Sequence, residues 1–230
     1  MALPNISDLN PLKPKKTLQH IAINGKEVNN WSEDENATEK TTEKNIEQID
    51  RFIDYQIKTN LKVLTLNIST ETVEQIKSLT TFFEKLITDE RIKKNNIRVF
   101  IIGRWFDLET DLIENFKRIM DDTKENEKQY LNFCVKYDGQ EEVLGVIKLL
   151  TRKAMAGKID LDKLEKNNVK ENLYTSYFPP PNLIIENTKK YSGLLLWDSK
   201  EAVIYYTHKH WLELKTEDIT KAIEFYNKEN

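Results

Sequence analysis

Apolar residues occur along this chain in two patterns, as short unbroken runs and as longer stretches with apolar positions three and four apart. The short runs lie at 20–24, 62–67, 97–102, 130–135, 182–185 and 202–206. Several contain no polar alternation, which is typical of strands buried on both faces of a parallel sheet. The pattern therefore predicts about six strands in one mostly parallel central sheet.

Between these runs, four stretches have the spacing of amphipathic helices, at 45–58, 71–87, 107–120 and 141–155. In the last stretch the apolar stripe consists of Val143, Val146, Ile147 and Leu150. We expect each stripe to face the core, and Gly157 to end the fourth helix. Strands alternating with helices predict βαβ units, so the predicted fold class is α/β, with helices flanking the sheet.

The chain of 230 residues suits one sizeable core, and we expect a single domain over residues 18–230. Residues 1–17 carry three prolines and no periodicity, which predicts an extended N-terminal arm. Segment 32–44 is polar throughout and predicts a mobile loop that runs into a helix start.

Charge and cysteine content narrow the class of protein. The net charge is −3, so nothing favours nucleic acid as a partner. A lone cysteine, Cys134, cannot form an internal disulfide, and a reducing compartment is expected. No apolar run approaches the roughly 18 residues of a membrane span, and the first residues lack a secretory pattern. We therefore expect a cytoplasmic protein with at most peripheral membrane contact, and we interpret Lys13, Lys15 and Lys16 as a solvated linker.

Seven segments match, in order and spacing, the motifs of a known enzyme family. They lie at 20–31, 64–71, 97–103, 132–140, 173–185, 191–197 and 205–207. The first begins His20-Ile-Ala-Ile-Asn24 and ends at Trp31, with Lys26 between them. Together these segments resemble the cis-prenyltransferases, the undecaprenyl diphosphate synthase family. The resemblance implies an open α/β fold, chain elongation from isopentenyl diphosphate, Mg²⁺ as cofactor and a dimeric assembly.

The departures from the family pattern lie at its charged positions. Lys26 stands where the family has the aspartate that holds Mg²⁺, and Val203 stands where it has a further acidic metal ligand. An ammonium repels a divalent ion by roughly 8 kcal/mol at about 4 Å and an effective dielectric constant near 20. The resemblance therefore gives this chain no metal ligands and no catalytic residue at these positions.

The family's phosphate-binding positions differ as well. Glu27 and Asn29 replace glycines, Asn30 replaces an arginine, and Glu186 replaces the leading arginine of a diphosphate-binding loop. An amide does not substitute for the bidentate guanidinium in binding phosphate. The other degenerate substrate-site positions that the resemblance implies are Trp31, Ser69, Glu71, Lys190 and Ser192.

Several of these residues also have a structural interpretation. We expect His20 to be a packing residue, and we interpret Ser69 and Glu71 as the start of a capped helix rather than a substrate contact. His208 and His210 have the spacing of a strand-borne pair, but without further ligands nearby a zinc site is not favoured.

Four lysines, Lys26, Lys136, Lys189 and Lys190, form either a metal-free diphosphate pocket or a scattered solvated set, and we favour the scattered set. In the family, the segment that holds Trp197, Ile204 and Tyr206 is used for dimerisation. These three residues are therefore candidates for a dimer interface, although bulky side chains here equally suit a core.

The leading hypothesis from the sequence is a catalytically degenerate cis-prenyltransferase homologue that serves as accessory subunit of a heteromeric polyprenyl diphosphate synthase. Its expected partner is a catalytically competent subunit of the same family, or a second copy of this chain. One alternative is an active but atypical prenyltransferase that needs Mg²⁺ and uses a substitute ligand such as Glu27. The other is a protein that binds a prenyl lipid or prenyl diphosphate.

Overall fold

The computed structural model describes residues 17–26, 38–70 and 72–229. The strands are β1 (His20–Asn24), β2 (Val63–Ile68), β3 (Ile97–Ile102), β4 (Gln129–Val135), β5 (Leu183–Glu186) and β6 (Val203–Tyr206). The helices are α1 (Thr38–Thr59), α2 (Val73–Ile87), α3 (Glu90–Lys94), α4 (Thr110–Asp122), α5 (Gly139–Met155), α6 (Lys166–Lys170) and α7 (Thr216–Glu229). Short 3₁₀ turns span Trp105–Asp107, Leu161–Lys163, Asp198–Glu201 and Trp211–Glu213.

The six strands form one sheet in the order β3-β4-β2-β1-β5-β6, and every neighbouring pair is parallel. The predicted α/β class and the six-stranded parallel sheet are therefore confirmed. β1, β2 and β5 are buried along their whole length, as their unbroken apolar runs predict.

The larger core lies on the face of the sheet that α1, α2, α4 and α7 cover. Its centre is a group of fully buried phenylalanine rings, Phe52, Phe83, Phe116 and Phe133. Phe83 contacts Phe116 and Phe133 edge to face, with ring centroids 4.7 and 5.0 Å apart. Such pairs add to the hydrophobic stabilisation of burial, so this side of the sheet is solidly packed.

The opposite face carries smaller clusters. One joins Ala22, Cys134 and Ile184 to Leu194 and Leu195. Another lies beneath α5 and consists of Val146, Leu150 and Leu173. The predicted core stripe of α5 is therefore correct for Val146 and Leu150 but wrong for Ile147, which is 54% exposed, because it lies on the other side of the helix.

Several boundaries differ from the sequence prediction. The helices α3, α6 and α7 were not predicted, and α1 begins at Thr38, inside the segment predicted as a loop. α5 ends at Met155, and Gly157 follows with a φ of +68°, as the predicted stop requires. The N-terminal arm, apart from residue 17, and positions 32–37 lie outside the described residues.

The cap of α2 also differs from the prediction. Thr72, not Ser69, is the N-cap: its hydroxyl accepts from the Gln75 backbone N–H, while the Gln75 side chain accepts from the Thr72 N–H. The Ser69 hydroxyl instead donates to Gln75 Oε1 at 3.2 Å. Ser69 thus binds the Gln75 side chain of the capping box without being one of its two residues.

Candidate functional site

The carboxyl ends of β1, β2 and β5 lie side by side at one edge of the sheet. The register pairs Asn24 with Asn67 and places Glu186 beside Asn24 on the other side. In the sheet, β2 lies on one side of β1 and β5 lies on the other side of β1. In open α/β sheets, ligands bind at such a reversal of strand order, so this edge is the candidate site.

Four polar residues connect these strand ends, and we call them the strand-end network: Asn24, Asn67, Glu186 and Ser192. Asn24 Nδ2 donates to Glu186 Oε2 at 2.8 Å, and Asn67 Nδ2 donates to Asn24 Oδ1 at 2.9 Å. The other carboxylate oxygen of Glu186 accepts from the Ser192 backbone N–H at 3.0 Å and from its hydroxyl at 2.7 Å. Asn24, Asn67 and Glu186 are buried.

The Glu186 carboxylate is fully buried, and its hydrogen-bond donors are neutral groups. Within the described part of the chain no basic side chain forms a salt bridge with it. Charge-assisted hydrogen bonds from amides and a hydroxyl are its compensation for lost hydration. Oε1 accepts two hydrogen bonds and Oε2 accepts one from Asn24 and a long one from Thr188 at 3.4 Å, so a metal ion at Glu186 would have to compete with these bonds.

Lys26 lies next to this network, just after β1. Its backbone N–H donates to Asn24 Oδ1 at 3.2 Å, and its half-buried side chain reaches across to the segment after β4, where Nζ donates to the carbonyl oxygen of Tyr137 at 2.9 Å. The positive charge is close enough to Cys134 to oppose the rise in the pKa of that thiol, which burial causes. The ammonium therefore lies inside the edge of the sheet rather than in bulk solvent.

Tyr137 continues the connection beneath α5. Its hydroxyl donates to Glu142 Oε2 at 2.6 Å, and Glu142 Oε1 accepts from the Tyr174 backbone N–H at 2.8 Å. Burial raises the pKa of Glu142, although these hydrogen bonds oppose the rise. Burial beside this carboxylate also raises the pKa of Tyr137. Tyr137 thus binds Lys26 through its carbonyl oxygen and Glu142 through its hydroxyl.

Gly25 allows Trp211 to close the other side of the edge. A Cβ at Gly25 would lie 2.6 Å from the Asn67 carbonyl oxygen and 2.8 Å from Trp211 Cε3, so a side chain does not fit without displacement. The Trp211 ring is buried and contacts Phe52, with centroids 5.2 Å apart. A small cleft remains here, lined by Gly25, Ser69, Trp211 and residues of α1 and α2.

The four lysines of the diphosphate-pocket alternative make different contacts. Lys26 Nζ bonds to Tyr137, whereas the exposed Lys136 side chain approaches the Asp107 carbonyl oxygen at 3.5 Å. Lys189 and Lys190 are exposed, in the loop after β5. Lys26 and Lys136 thus contact different carbonyl oxygens, and the choice between a pocket and a scattered set stays a prediction.

His20 lies at the amino end of β1, about 13 Å from Asn24 at 3.3 Å per residue. Its Nδ1 bonds to the Pro179 carbonyl oxygen and its Nε2 to the Thr65 hydroxyl, both at 2.8 Å. Burial lowers the pKa of His20 to about 4, so the ring is neutral at pH 7. Its contacts are those of a packing residue.

The remaining candidates are distributed as follows. His210 caps the 3₁₀ turn Trp211–Glu213, and no group of three potential metal ligands occurs among the residues that the structure describes. Trp197 packs partly buried against the cluster beneath α5. Ile204 and Val203 are half-buried on the edge strand β6, where Tyr206 is 48% exposed. Asn29, Asn30, Trp31, Glu71 and the alternative ligand Glu27 lie outside the described residues.

Comparison with known proteins agrees with this geometry. The sequence profile of the family described as "Putative undecaprenyl diphosphate synthase" matches residues 28–230. The chain belongs to this family. It is therefore a cis-prenyltransferase homologue, as its motifs suggest.

Individual cis-prenyltransferase relatives cover most of the chain. A tritrans,polycis-undecaprenyl-diphosphate synthase (geranylgeranyl-diphosphate specific) from Thermoplasma acidophilum is 30% identical over 193 residues, 79% of this chain and 75% of the relative. An isoprenyl transferase from Oceanobacillus iheyensis is 26% identical over 190 residues, 79% and 75% of the two chains. The solved structure of lavandulyl diphosphate synthase from Lavandula x intermedia, in complex with dimethylallyl diphosphate, has a TM-score of 0.79 at 17% identity. It covers 91% of this chain and 94% of that one, and this likeness supports the fold.

Part of the candidate site at the carboxyl edge of the sheet was not predicted from the sequence. Asn24, Asn67, Tyr137 and Glu142 were not singled out, although Asn24 and Asn67 are polar residues within apolar runs that form neighbouring strands. That signal was available in the sequence. The contacts of Tyr137 with Lys26 and Glu142 depend on how α5 packs, which the sequence pattern does not specify.

Among the described residues, no helix is both long and apolar enough to cross a bilayer.

Proposed function

We propose that this chain is a catalytically degenerate cis-prenyltransferase homologue that acts as the accessory subunit of a heteromeric polyprenyl diphosphate synthase. One observation carries the proposal: the signs of charge at the carboxyl edge of the sheet are reversed. An ammonium, Lys26, stands where the family resemblance places a metal-binding carboxylate, and a buried carboxylate, Glu186, stands where it places an arginine.

The described residues do not suit Mg²⁺ at this edge. Oxygen ligands, mostly carboxylates, bind Mg²⁺ in proteins, whereas the side chains here are an ammonium, two amides and a carboxylate whose oxygens are both occupied. Lys26 would also repel the ion.

A diphosphate is disfavoured at the same edge. Phosphate is recognised by guanidinium or ammonium groups and by free backbone N–H groups, and the Lys26 ammonium at this edge is already bonded to the Tyr137 carbonyl oxygen. Here the Ser192 backbone N–H already donates to Glu186, and the negative charge of that carboxylate repels an anion. Loss of the metal site and of the anion site together supports a chain that does not catalyse elongation alone.

The preserved scaffold supports a role in assembly. The sheet order, the packed core and the close Gly25–Trp211 contact are complete, so the fold persists where the charged positions differ. We infer that the chain contributes structure to a competent family member, and that the half-exposed edge strand β6, with Ile204 and Tyr206, takes part in this contact.

The prenyl-lipid alternative has less support. A long isoprenoid needs an apolar space of its own, but the face covered by α1, α2 and α4 is filled by the rings of Phe52, Phe83, Phe116 and Phe133. The cleft near Gly25 and Ser69 is small and partly polar.

A prenyl-transfer assay tests the proposal. The purified chain is incubated with farnesyl diphosphate, labelled isopentenyl diphosphate and Mg²⁺, alone and together with a competent family member from the same cell. We expect no labelled polyprenyl product from the chain alone, and more product from the mixture than from the partner alone. Product from the chain alone would establish the atypical enzyme instead. Failure to co-purify with the partner or to raise its activity would reject the accessory role.

A further inference from the structure

Helix α5 is apolar on two opposite sides. Its inner side buries Val146 and Leu150 against Leu173. On the outer side Leu144 is 40% exposed, Ile147 54% and Met155 85%. At 3.6 residues per turn Leu144 and Met155 lie on one line, with Ile147 beside it. Exposed apolar side chains grouped on one side of a helix mark an interaction surface, and the described residues leave this side of α5 uncovered.

Basic side chains accompany these apolar residues. Residues 144–166 contain six basic and three acidic side chains, a net charge of +3 in a chain whose overall net charge is −3. Lys148 and Arg152 flank the outer line of α5 and are exposed, and exposed Lys158, Lys163 and Lys166 follow the helix. Leu161 and Leu164 in this following segment are also exposed, at 55% and 37%. We call residues 144–166 with these side chains the α5 outer surface.

Either a protein or a lipid bilayer can cover such a surface, and the charge of the surface distinguishes between them. The cores of protein–protein interfaces are depleted of lysine, whereas here lysine and arginine alternate with the apolar side chains. An anionic bilayer suits both components, because apolar side chains insert at the headgroup boundary while basic side chains extend to the phosphates.

We propose that the α5 outer surface docks on an anionic lipid bilayer. Leu144, Ile147 and Met155 enter the boundary between headgroups and acyl chains, and Lys148 and Arg152 pair with lipid phosphates. The contact is peripheral, and it does not depend on whether the chain catalyses prenyl transfer.

Vesicle co-sedimentation of the full chain tests this. The probes are vesicles of phosphatidylcholine alone and of phosphatidylcholine mixed with phosphatidylglycerol. We expect binding to the mixed vesicles that weakens as salt is added. Each basic residue near an anionic surface contributes about 1 kcal/mol, so K148Q/R152Q should weaken binding about thirtyfold. The matched variant K117Q/R118Q, on α4 at the opposite face of the sheet, should change it by less than about twofold.

A second variant tests the apolar side chains of the α5 outer surface. I147S/M155S should lower binding to mixed vesicles by about tenfold or more, since each side chain loses apolar area buried in the lipid. F106S, at a phenylalanine that is 57% exposed elsewhere on the chain, is its control and should bind like the unchanged protein.

Four results would overturn the proposal. The first is no binding to mixed vesicles, and the second is equal binding by the α5 variants and the unchanged chain. The third is loss of binding only when Lys13, Lys15 and Lys16 are neutralised. The fourth is a dimer, seen by sedimentation velocity, that I147S/M155S dissociates, because the α5 outer surface would then be a protein interface.

Discussion

Two buried polar networks lie on the same sheet, one extending from His20 at the amino end of β1 and the other at the carboxyl ends of β1 and β5, and they differ in charge. At the amino end His20, Thr65 and Asn132 bond to one another and to the Pro179 carbonyl, and all are neutral. At the carboxyl end Asn24, Asn67 and Ser192 surround the Glu186 carboxylate, with the Lys26 ammonium beside them.

This difference in charge indicates how the two ends of the sheet are used. In the neutral network the amide oxygen of Asn132 lacks a hydrogen-bond partner, but no charge is buried there, so the network holds its strands in register without the cost of desolvating an ion. A buried charge costs several kcal/mol before its hydrogen bonds are counted. Parallel sheets bind ligands at their carboxyl ends, and in this chain that is the end where β1 and β5 carry charges.

Removing the Glu186 carboxylate should have the largest effect. Glu186→Leu leaves Asn24 Nδ2 and two Ser192 donors without an acceptor, and we expect the free energy of unfolding to fall by about 4 kcal/mol. Glu186→Gln keeps one acceptor and should cost about half as much. Urea denaturation measures both.

The control for these variants is Glu224→Gln on the exposed face of α7, which should change stability by less than about 0.5 kcal/mol. If Glu186→Leu were as mild as this control, the strand-end network would not be a structural element, and the contrast between the two ends would disappear.

The amino-end network should respond to pH. The pKa of His20 is about 4 in the folded chain and near 6.5 in the unfolded chain. Below pH 6.5 the unfolded chain binds the extra proton, so stability falls as pH drops from 6.5 to 4, by about 3 kcal/mol in total. Above pH 6.5 this contribution is constant.

Urea denaturation at several pH values measures this loss. His20→Phe removes the titrating group, so its unfolding free energy should lose this part of the pH dependence despite a lower starting stability. His208→Gln, at an exposed histidine, should keep the pH dependence of the unchanged chain. An identical slope in all three proteins between pH 6.5 and 4 would show that His20 does not stay neutral in the fold.

Most of the fold follows from apolar patterns. The runs from 20–24 to 202–206 predict strands because parallel strands buried on both faces need no polar alternation. The short helices α3 and α6, with five residues each, have too few turns for a periodic signal. α7 has the length for a stripe, with Ile219, Ala222 and Tyr226 buried, and the prediction overlooked it.

The site was less predictable. Lys26 and Glu186 stand out in the sequence because the resemblance implies residues of opposite charge at these positions, but their partners do not stand out. Tyr137 binds Lys26 through its main-chain carbonyl, which any residue type has, so no sequence signal marks it. Ile147 shows the converse, because a residue in an apolar stripe was assigned to the core although it is exposed.

Changes at Lys26 should have the smallest effect and the clearest implication. Lys26→Met removes the bond to the Tyr137 carbonyl and should lower the free energy of unfolding by about 1 kcal/mol, while Lys136→Met, at an exposed lysine with a weak contact, should lower it less. Lys26→Asp introduces the carboxylate that the family resemblance implies at this position, yet Mg²⁺ should not stabilise that variant against urea. Val203 supplies no second ligand, and the Glu186 oxygens are engaged. Stabilisation of Lys26→Asp by Mg²⁺, without any in the unchanged chain, would mean that one reversed charge, rather than a rebuilt edge, separates this chain from a metal-binding relative.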